Sequence, residues 1–598
     1  MNRPILILLF AAVTVSLSAQ SEKKITILHT NDLHAHLEGF APESDYTPLS
    51  VNDDKTVGGF SRIATIIKRE KESSPGSTLV VDAGDFLMGT LFQSLEIKNG
   101  LQLRLMKAMG YDVVCLGNHE FDYGPEKLAG IITASAKKGE IPSLLLSNGV
   151  FSEKESGDDS LEELFNNNTI ARKFILTRDG IKIGFFSLMG VVADDNAALA
   201  PPVTFSKQIP VARKMVKELQ KEKCDIIICL SHSGVAEDGK GGWEGEDVEL
   251  AEKVKGIDVI ISGHTHTQLD KPVMVNGIPV VQTGEYGRNV GKLSLTYNNG
   301  SVTVDGYILI PVDDKTPGDK IVQQAIEDQK LVIDSEILAP LGIKYASPVA
   351  ESDFLLECNE MGDIEGSNLG PMVADAIYNY VNSHSDKGTD VSMVAVGVIR
   401  DRIVPGKQTA ADIFRIMSMG AGNDLVPGYP LSRLYVTGKE LKSILEILQV
   451  AYKSTPGNYC YYSGIMVNYD PEKGMLKKIR KIEILHPDGK NQLVDFSKKN
   501  KALYSITANS YMLEFIGIIK KMSFGLINVI PKDETGSKVA DMKNAIIDID
   551  DKREGLQEGK EWLALMEMIS LMKDTNGNGI PDLDKKYKEP VKSFFRVK

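Results

Sequence analysis

Tryptophan is almost absent from this sequence, with 2 residues in 598, and cysteine is scarce, with 5. An odd number of cysteines excludes a fully paired disulfide framework. Cys115, Cys224 and Cys229 stand in or beside apolar strand-like runs and read as buried thiols. A bridge between Cys358 and Cys460 stays open, because only geometry decides it. Positive charge is also short: 68 Lys and Arg face 81 Asp and Glu, a net charge of −13. With no basic stripe, a nucleic-acid polymer is excluded as partner. A small anionic substrate is not excluded, because a bound metal overrides surface charge locally. After residue 20 no apolar run is long enough to span a bilayer. The run from Ile5 to Val15 is short for a span. Arg3 precedes it and Ser16-Leu17-Ser18-Ala19-Gln20 follows, so residues 1–20 read as an export signal. The mature chain is expected to be periplasmic or secreted.

What is present is ordinary globular composition, 42% hydrophobic and 25% charged. The length exceeds what one core supports and predicts two or three domains. In the first half, short apolar runs alternate with amphipathic stretches. The runs include Lys24–Leu28, Thr78–Val81, Val113–Leu116, Ile226–Leu230 and Val259–Ile261. Continuous rather than alternating runs predict strands covered on both faces. Phe60, Ile63, Ala64, Ile66 and Ile67 have helical spacing between two of them. This is the pattern of an α/β layered domain over residues 21–310. A polar, helical linker is expected over 311–345 and a second mixed domain over 346–550. That domain should carry helices around Leu369–Val381 and Gly438–Tyr452. A tail from 551 to 598 contains one amphipathic segment, Trp562–Met572.

Each of the five runs leads into Asp, Asn or His. Thr30-Asn31-Asp32-Leu33-His34 follows the first and Asp82-Ala83-Gly84-Asp85 the second. Gly117-Asn118-His119-Glu120 follows the third, Ser231-His232-Ser233-Gly234 the fourth and Gly263-His264-Thr265-His266 the fifth. Ligand sites in open α/β sheets lie at the carboxyl ends of strands. That rule gathers Asp32, His34, Asp85, Asn118, His119, His232, His264 and His266 into one crevice. Imidazole with carboxylate suits two divalent transition ions, Zn, Mn, Fe or Co, rather than Mg or Ca. Eight groups exceed the needs of one ion, and a bridging carboxylate serves two, as phosphate-ester hydrolysis often requires.

These motifs, with Phe121 and Asp122 completing the third, resemble the calcineurin-like metallophosphoesterases, in their bacterial 5′-nucleotidase and UDP-sugar hydrolase branch, over about residues 24–300. The resemblance implies an α/β fold, with an N-terminal four-layer α/β β-sandwich and a C-terminal mixed α/β domain that binds the substrate. It implies that Asp32, His34, Asp85 and His266 hold one metal. Asp85, Asn118, His232 and His264 would hold the other. His119 would face the phosphoryl group, oriented by Asp122.

In the second half the resemblance is thinner. Asn368-Leu369-Gly370, Ile399-Arg400-Asp401 and Gly422-Asn423 match parts of three motifs. They make Asn368, Arg400, Asn423 and Tyr511 the substrate-binding candidates, with Arg400 as an anion clamp. The departures are specific. Ala395-Val396-Gly397-Val398 replaces a glycine-rich run, Asp363 and Glu365 stand where an Arg is expected, and Ala421 stands where an aromatic should stack on a base. In the tail, Asp574, Asn576, Asn578 and Asp582 alternate around glycines and resemble the start of a calcium loop. The expected activity is phosphate release from 5′-nucleotides or related small esters. The alternatives are a 2′,3′-cyclic-nucleotide phosphodiesterase, a nucleotide-sugar pyrophosphatase or, remotely, a secreted binding protein on a retained fold.

Overall fold

The computed structural model describes residues 22–597 apart from 42–44, 359–363, 425, 452, 454–455, 475, 515–528 and 551. The export signal expected over 1–20 and Asp363 lie outside the described residues. No helix among those described is long and apolar enough to cross a membrane.

The five apolar runs are strands: β1 (Lys23–Thr30), β2 (Thr78–Asp82), β3 (Val113–Cys115), β4 (Ile226–His232) and β5 (Val259–Ser262). β1, β2 and β3 are parallel neighbours in a seven-stranded sheet. β4 and β5 are parallel neighbours in a six-stranded sheet. The two sheets face one another. Ile25, Ile27, Leu79 and Val81 meet Phe185, Ile228, Leu230 and Ile261 in the core between them. The alternate residues of the same strands turn outward: Leu28 and Val80 toward helix α1 (Phe60–Ser73), Ile227, Cys229 and Ile260 toward helices on the far side. Strands buried on both faces need apolar residues at every position, which is why the runs do not alternate. The result is four layers, helix, sheet, sheet, helix.

Helix α2 (Lys320–Ile333) starts at Asp319, whose side chain accepts from the Ile321 and Val322 amides. It packs Val322, Ile326 and Ile333 into a core shared with both domains. The C-terminal domain holds two four-stranded sheets with helices α3 (Leu369–His384) and α4 (Gly438–Ala451). The segment after 551 is built into this domain. Helix α5 (Glu561–Ser570) buries Trp562 in the core and points its indole N–H at the Pro427 carbonyl, 2.7 Å away. The strand Phe594–Arg596 pairs with Ile465–Tyr469. All five cysteines are thiols, so the Cys358–Cys460 bridge left open by the sequence is not formed. Cys358 Sγ lies instead 3.4 Å from Tyr461 Oη.

Candidate metal centre

The parallel order of β1–β3 and of β4–β5 sends all five carboxyl ends to one edge, and the segments that follow turn sharply there. Asp32, His34, Asp85, His264 and His266 all have positive φ, between 46° and 79°. Non-glycine residues seldom adopt that conformation, and where they do it clusters at functional sites. Gly117 is required for a different reason: a Cβ there would collide with the Asp85 carboxylate.

Two ligand clusters result. Asp32, His34 and His266 offer ligand atoms that lie within 4.8 Å of one another, and so do Asp85, His232 and His264. Asp85 stands between the clusters, with Oδ2 3.0 Å from His232 Nε2 and 3.9 Å from His34 Nε2. Asn118 Oδ1 completes the second cluster, 3.1 Å from His232 Nε2 and 3.0 Å from His264 Nδ1.

The surroundings orient these groups. His232 Nδ1 donates to the Ala83 carbonyl at 2.8 Å. In the neutral ring that leaves Nε2 with its lone pair aimed at Asp85 and Asn118, the arrangement expected behind a metal-binding histidine. Asp32 accepts from the His264 amide and from Asn31 Nδ2. Asn31 Oδ1 in turn accepts from Thr283. The buried Glu120 carboxylate accepts from the Asp85, Leu87 and Gly117 amides at 3.0, 2.9 and 2.6 Å, tying the β2 and β3 turns together. Glu120 lies inside a motif the sequence shows, but its role as a brace depends on backbone amides that no side-chain pattern displays.

The electrostatics call for positive charge. Burial drives His34 and His266 well below the ordinary imidazole value and His264 to about 3, so these rings are neutral. Burial likewise raises Asp32. Against burial, the neighbouring His232 and His119 hold Asp85 well below the carboxylate range, and Asp85 lifts His232 to about 10. Oxygen and nitrogen lone pairs converge here, so a proton or a cation must sit among them. The donor set of imidazoles, carboxylates and an amide oxygen fits divalent transition ions.

His119 belongs to neither cluster. Its Nδ1 lies 2.6 Å from Asp122 Oδ2, and its amide donates to Asp85 Oδ1 at 2.8 Å. Burial alone would lower its basicity, but Asp122 and Asp85 outweigh that and raise it above the ordinary value.

A cavity of about 1020 Å³ opens from this centre between the domains. Asp85, His119, His264 and His266 line one end, and Arg400 and Tyr511 line it from the C-terminal domain. Tyr511 stacks on Tyr429 with centroids 5.1 Å apart and donates to the Asn196 carbonyl of the N-terminal domain at 3.2 Å. Asn368 and Asn423 do not line it. The Asn368 side chain accepts from the Glu357 amide and donates to the Leu355 carbonyl, closing the turn before α3. Asn423 is exposed, and its amide donates to Glu558, which pairs with the buried Lys560. The C-terminal segment thus occupies the motif expected to hold substrate. The four tail residues Asp574, Asn576, Asn578 and Asp582 form one turn, in which Asp574 accepts the Gly577 and Gly579 amides. Glu351 joins it from another strand, 3.2 Å from Asn576 Nδ2.

Residues 25–268 match the family of calcineurin-like phosphoesterases, and residues 349–517 match the 5′-nucleotidase C-terminal domain. The 5′-nucleotidase of Bos taurus is 28% identical over 497 residues, covering 77% of this chain and 78% of that one. The snake venom 5′-nucleotidase of Gloydius brevicauda is 28% identical over 524 residues, covering 81% and 80%. The fold is that of the 5′-nucleotidase precursor from Thermus thermophilus, with a TM-score of 0.68 at 20% identity over 96% of this chain and 99% of that one.

Proposed function

We propose that this chain, which belongs to the calcineurin-like phosphoesterases carrying a 5′-nucleotidase C-terminal domain, is an exported enzyme that releases phosphate from 5′-nucleotides or related small phosphate esters. The observation that carries the reading is the pair of ligand clusters, joined by Asp85, with the His119–Asp122 pair beside them. Asp32, His34, Asp85 and His266 would hold one ion. Asp85, Asn118, His232 and His264 would hold the other, each Zn, Mn, Fe or Co. Two such ions supply Lewis acidity to the phosphoryl oxygens and make water a nucleophile near neutral pH. The chain's own residues do the rest. Asp122 holds the Nδ1 proton of His119 and stabilises the imidazolium. Nε2 then presents a proton to the leaving ester oxygen or to charge developing on the phosphoryl group. Arg400, across the cavity, is suited to clamp the anion.

The cavity volume favours a second reading within the same chemistry, a nucleotide sugar, since about 1020 Å³ lies at the upper end for small-molecule sites. Chromatography of the products formed by Mn- and Zn-loaded protein decides between them across nucleoside monophosphates, 2′,3′-cyclic nucleotides and nucleotide sugars, because only monoester hydrolysis frees inorganic phosphate directly. Nucleoside monophosphates should turn over fastest. Binding without turnover of any ester would leave the binding-protein alternative. The tail turn is a candidate calcium site. Calorimetry at millimolar calcium should show weak binding, and no heat would make it a plain polar turn.

A further inference from the structure

Four aromatic side chains line the cavity: Phe40, Trp243, Tyr286 and Tyr511. A substrate base needs a ring face that is not already covered. Tyr286 stacks on His36, with centroids 4.2 Å apart, and its hydroxyl donates to the Arg400 carbonyl. Phe40 packs against His36 and carries the Arg288 guanidinium 4.8 Å from its ring centre. Tyr511 has Tyr429 against one face. Trp243 has no ring or cation partner among the described residues. Its indole packs in part on the outer core of the second sheet, and the rest lines the cavity. The contrast with Trp562 is informative, since that indole is buried, edge-on to Phe414, with its N–H satisfied. Ala421, at the position where the resemblance places a stacking aromatic, packs against the core and does not line the cavity.

The position of Trp243 is tied to the metal-ligand turns. It stands on a short hairpin, Ala236–Glu237 paired with Trp243–Glu244, that grows directly from the turn after His232. The hairpin root is fastened to the His264–His266 turn. Thr265 and Thr267 both donate their hydroxyls to the Val235 carbonyl, at 2.9 and 2.6 Å. Gly234 and Gly245 close the root at positive φ, and a Cβ on Gly234 would collide with Thr265. Just beyond Trp243, Glu246 accepts the Val191 and Val192 amides at 2.8 and 2.9 Å. Those residues open the helix that ends at Asn196, whose carbonyl receives Tyr511 Oη. Trp243 is therefore referenced both to the ligand turns and to the cavity's C-terminal wall.

We infer that Trp243 is a specificity-determining residue: its indole stacks on the nucleobase of the substrate, so that the catalytic domain supplies a recognition surface at the cavity it shares with the other domain. The inference rests on the nucleotide reading above. Because stacking accepts any base, it predicts affinity for nucleotides over abasic sugar phosphates, with little choice among bases. The test compares kcat/KM for adenosine 5′-monophosphate and for ribose 5-phosphate in metal-loaded wild type, Trp243→Ala and Trp243→Phe. Trp243→Ala should lose about 5- to 150-fold on the nucleotide, the equivalent of one base stack. It should stay within about twofold on ribose 5-phosphate, and Trp243→Phe should retain most of the nucleotide activity. Adenosine should quench the wild-type indole emission and leave that of Trp243→Phe unchanged. Equal losses on both substrates would make the residue structural and overturn the assignment, and so would no loss on either. Wild type that turns over ribose 5-phosphate but no nucleotide would overturn the nucleotide reading itself, and the base-stacking role with it.

Discussion

The two domains meet at one cavity and bring opposite kinds of surface to it. The catalytic side presents imidazoles and carboxylates that are buried, aimed by backbone turns and braced by groups such as Glu120, Asn31 and the Ala83 carbonyl. The C-terminal side presents Met393, Met419, Met512, Ile444 and Leu448, beside a charged group of Glu357, Arg400, Asp401 and Arg402. Methionine and aliphatic side chains adapt to shape and give little directional selection. The comparison teaches where discrimination must come from. A metal centre stabilises any phosphoryl transition state, so choice among substrates depends on groups that one ligand satisfies and another leaves unpaired. Away from the charged group around Arg400 the C-terminal lining is largely apolar, which predicts broad rather than narrow choice among bases.

The most damaging change to the catalytic side should be at Asp85. Asp85→Asn should lower turnover by on the order of 10³ or more and reduce bound metal from two equivalents, because it removes the charge shared by both clusters. Near-normal activity with full metal content would end the contrast between a fixed catalytic wall and a permissive one. His119→Ala should lower kcat by about 10²–10⁴, the range for acid–base groups, with metal content unchanged by elemental analysis. Loss of metal with that side chain would move His119 into the ligand set.

Arg400→Ala probes the other wall. It should lower kcat/KM by about 10–100-fold, the usual worth of a charge-assisted hydrogen bond, and by the same factor for adenosine, uridine and sugar monophosphates. Unequal losses would show that the C-terminal wall reads the base after all.

The smallest effect should be at His29, which lies in β1 and belongs to neither ligand cluster. It is fully buried, both ring nitrogens lack hydrogen-bond partners among the described residues, and burial depresses it to about 3. With a folded pKa below the unfolded 6.5, the proton binds only the unfolded chain. Stability is therefore full above about pH 6.5 and falls as pH drops toward 3. The group should cost about 2 kcal/mol at pH 5, read as the difference between wild type and His29→Leu in denaturant midpoints across about pH 5–7.5. Parallel pH profiles would show that some unseen partner satisfies the ring.

Much of this protein is written locally in its chain. Uninterrupted apolar runs specify strands covered on both faces, and Asp, Asn and His after each run lie at strand ends by the geometry of parallel sheets. The candidate ligand at each strand end and the His119–Asp122 spacing follow from that, since each is set by residues near in sequence, whereas the two clusters form only when the sheets bring Asp32 to His266 and Asp85 to His232. Other features depended on chain segments far apart. Asn368 and Asn423 sit in recognisable motifs, yet one closes a turn and the other is met by Glu558 from the C-terminal segment, 135 residues on. Glu351 joins the tail turn from 225 residues away. Cys358 and Cys460 remain thiols. Trp243 carries no motif at all, and its place in the cavity comes from the Thr265 and Thr267 bonds to Val235 and from the meeting of two domains. Local pattern determines which residues can end a strand, because strand period and turn chemistry act over a few residues. Only tertiary packing decides which side chains keep an open face at a cavity, because that depends on what every other segment has already covered.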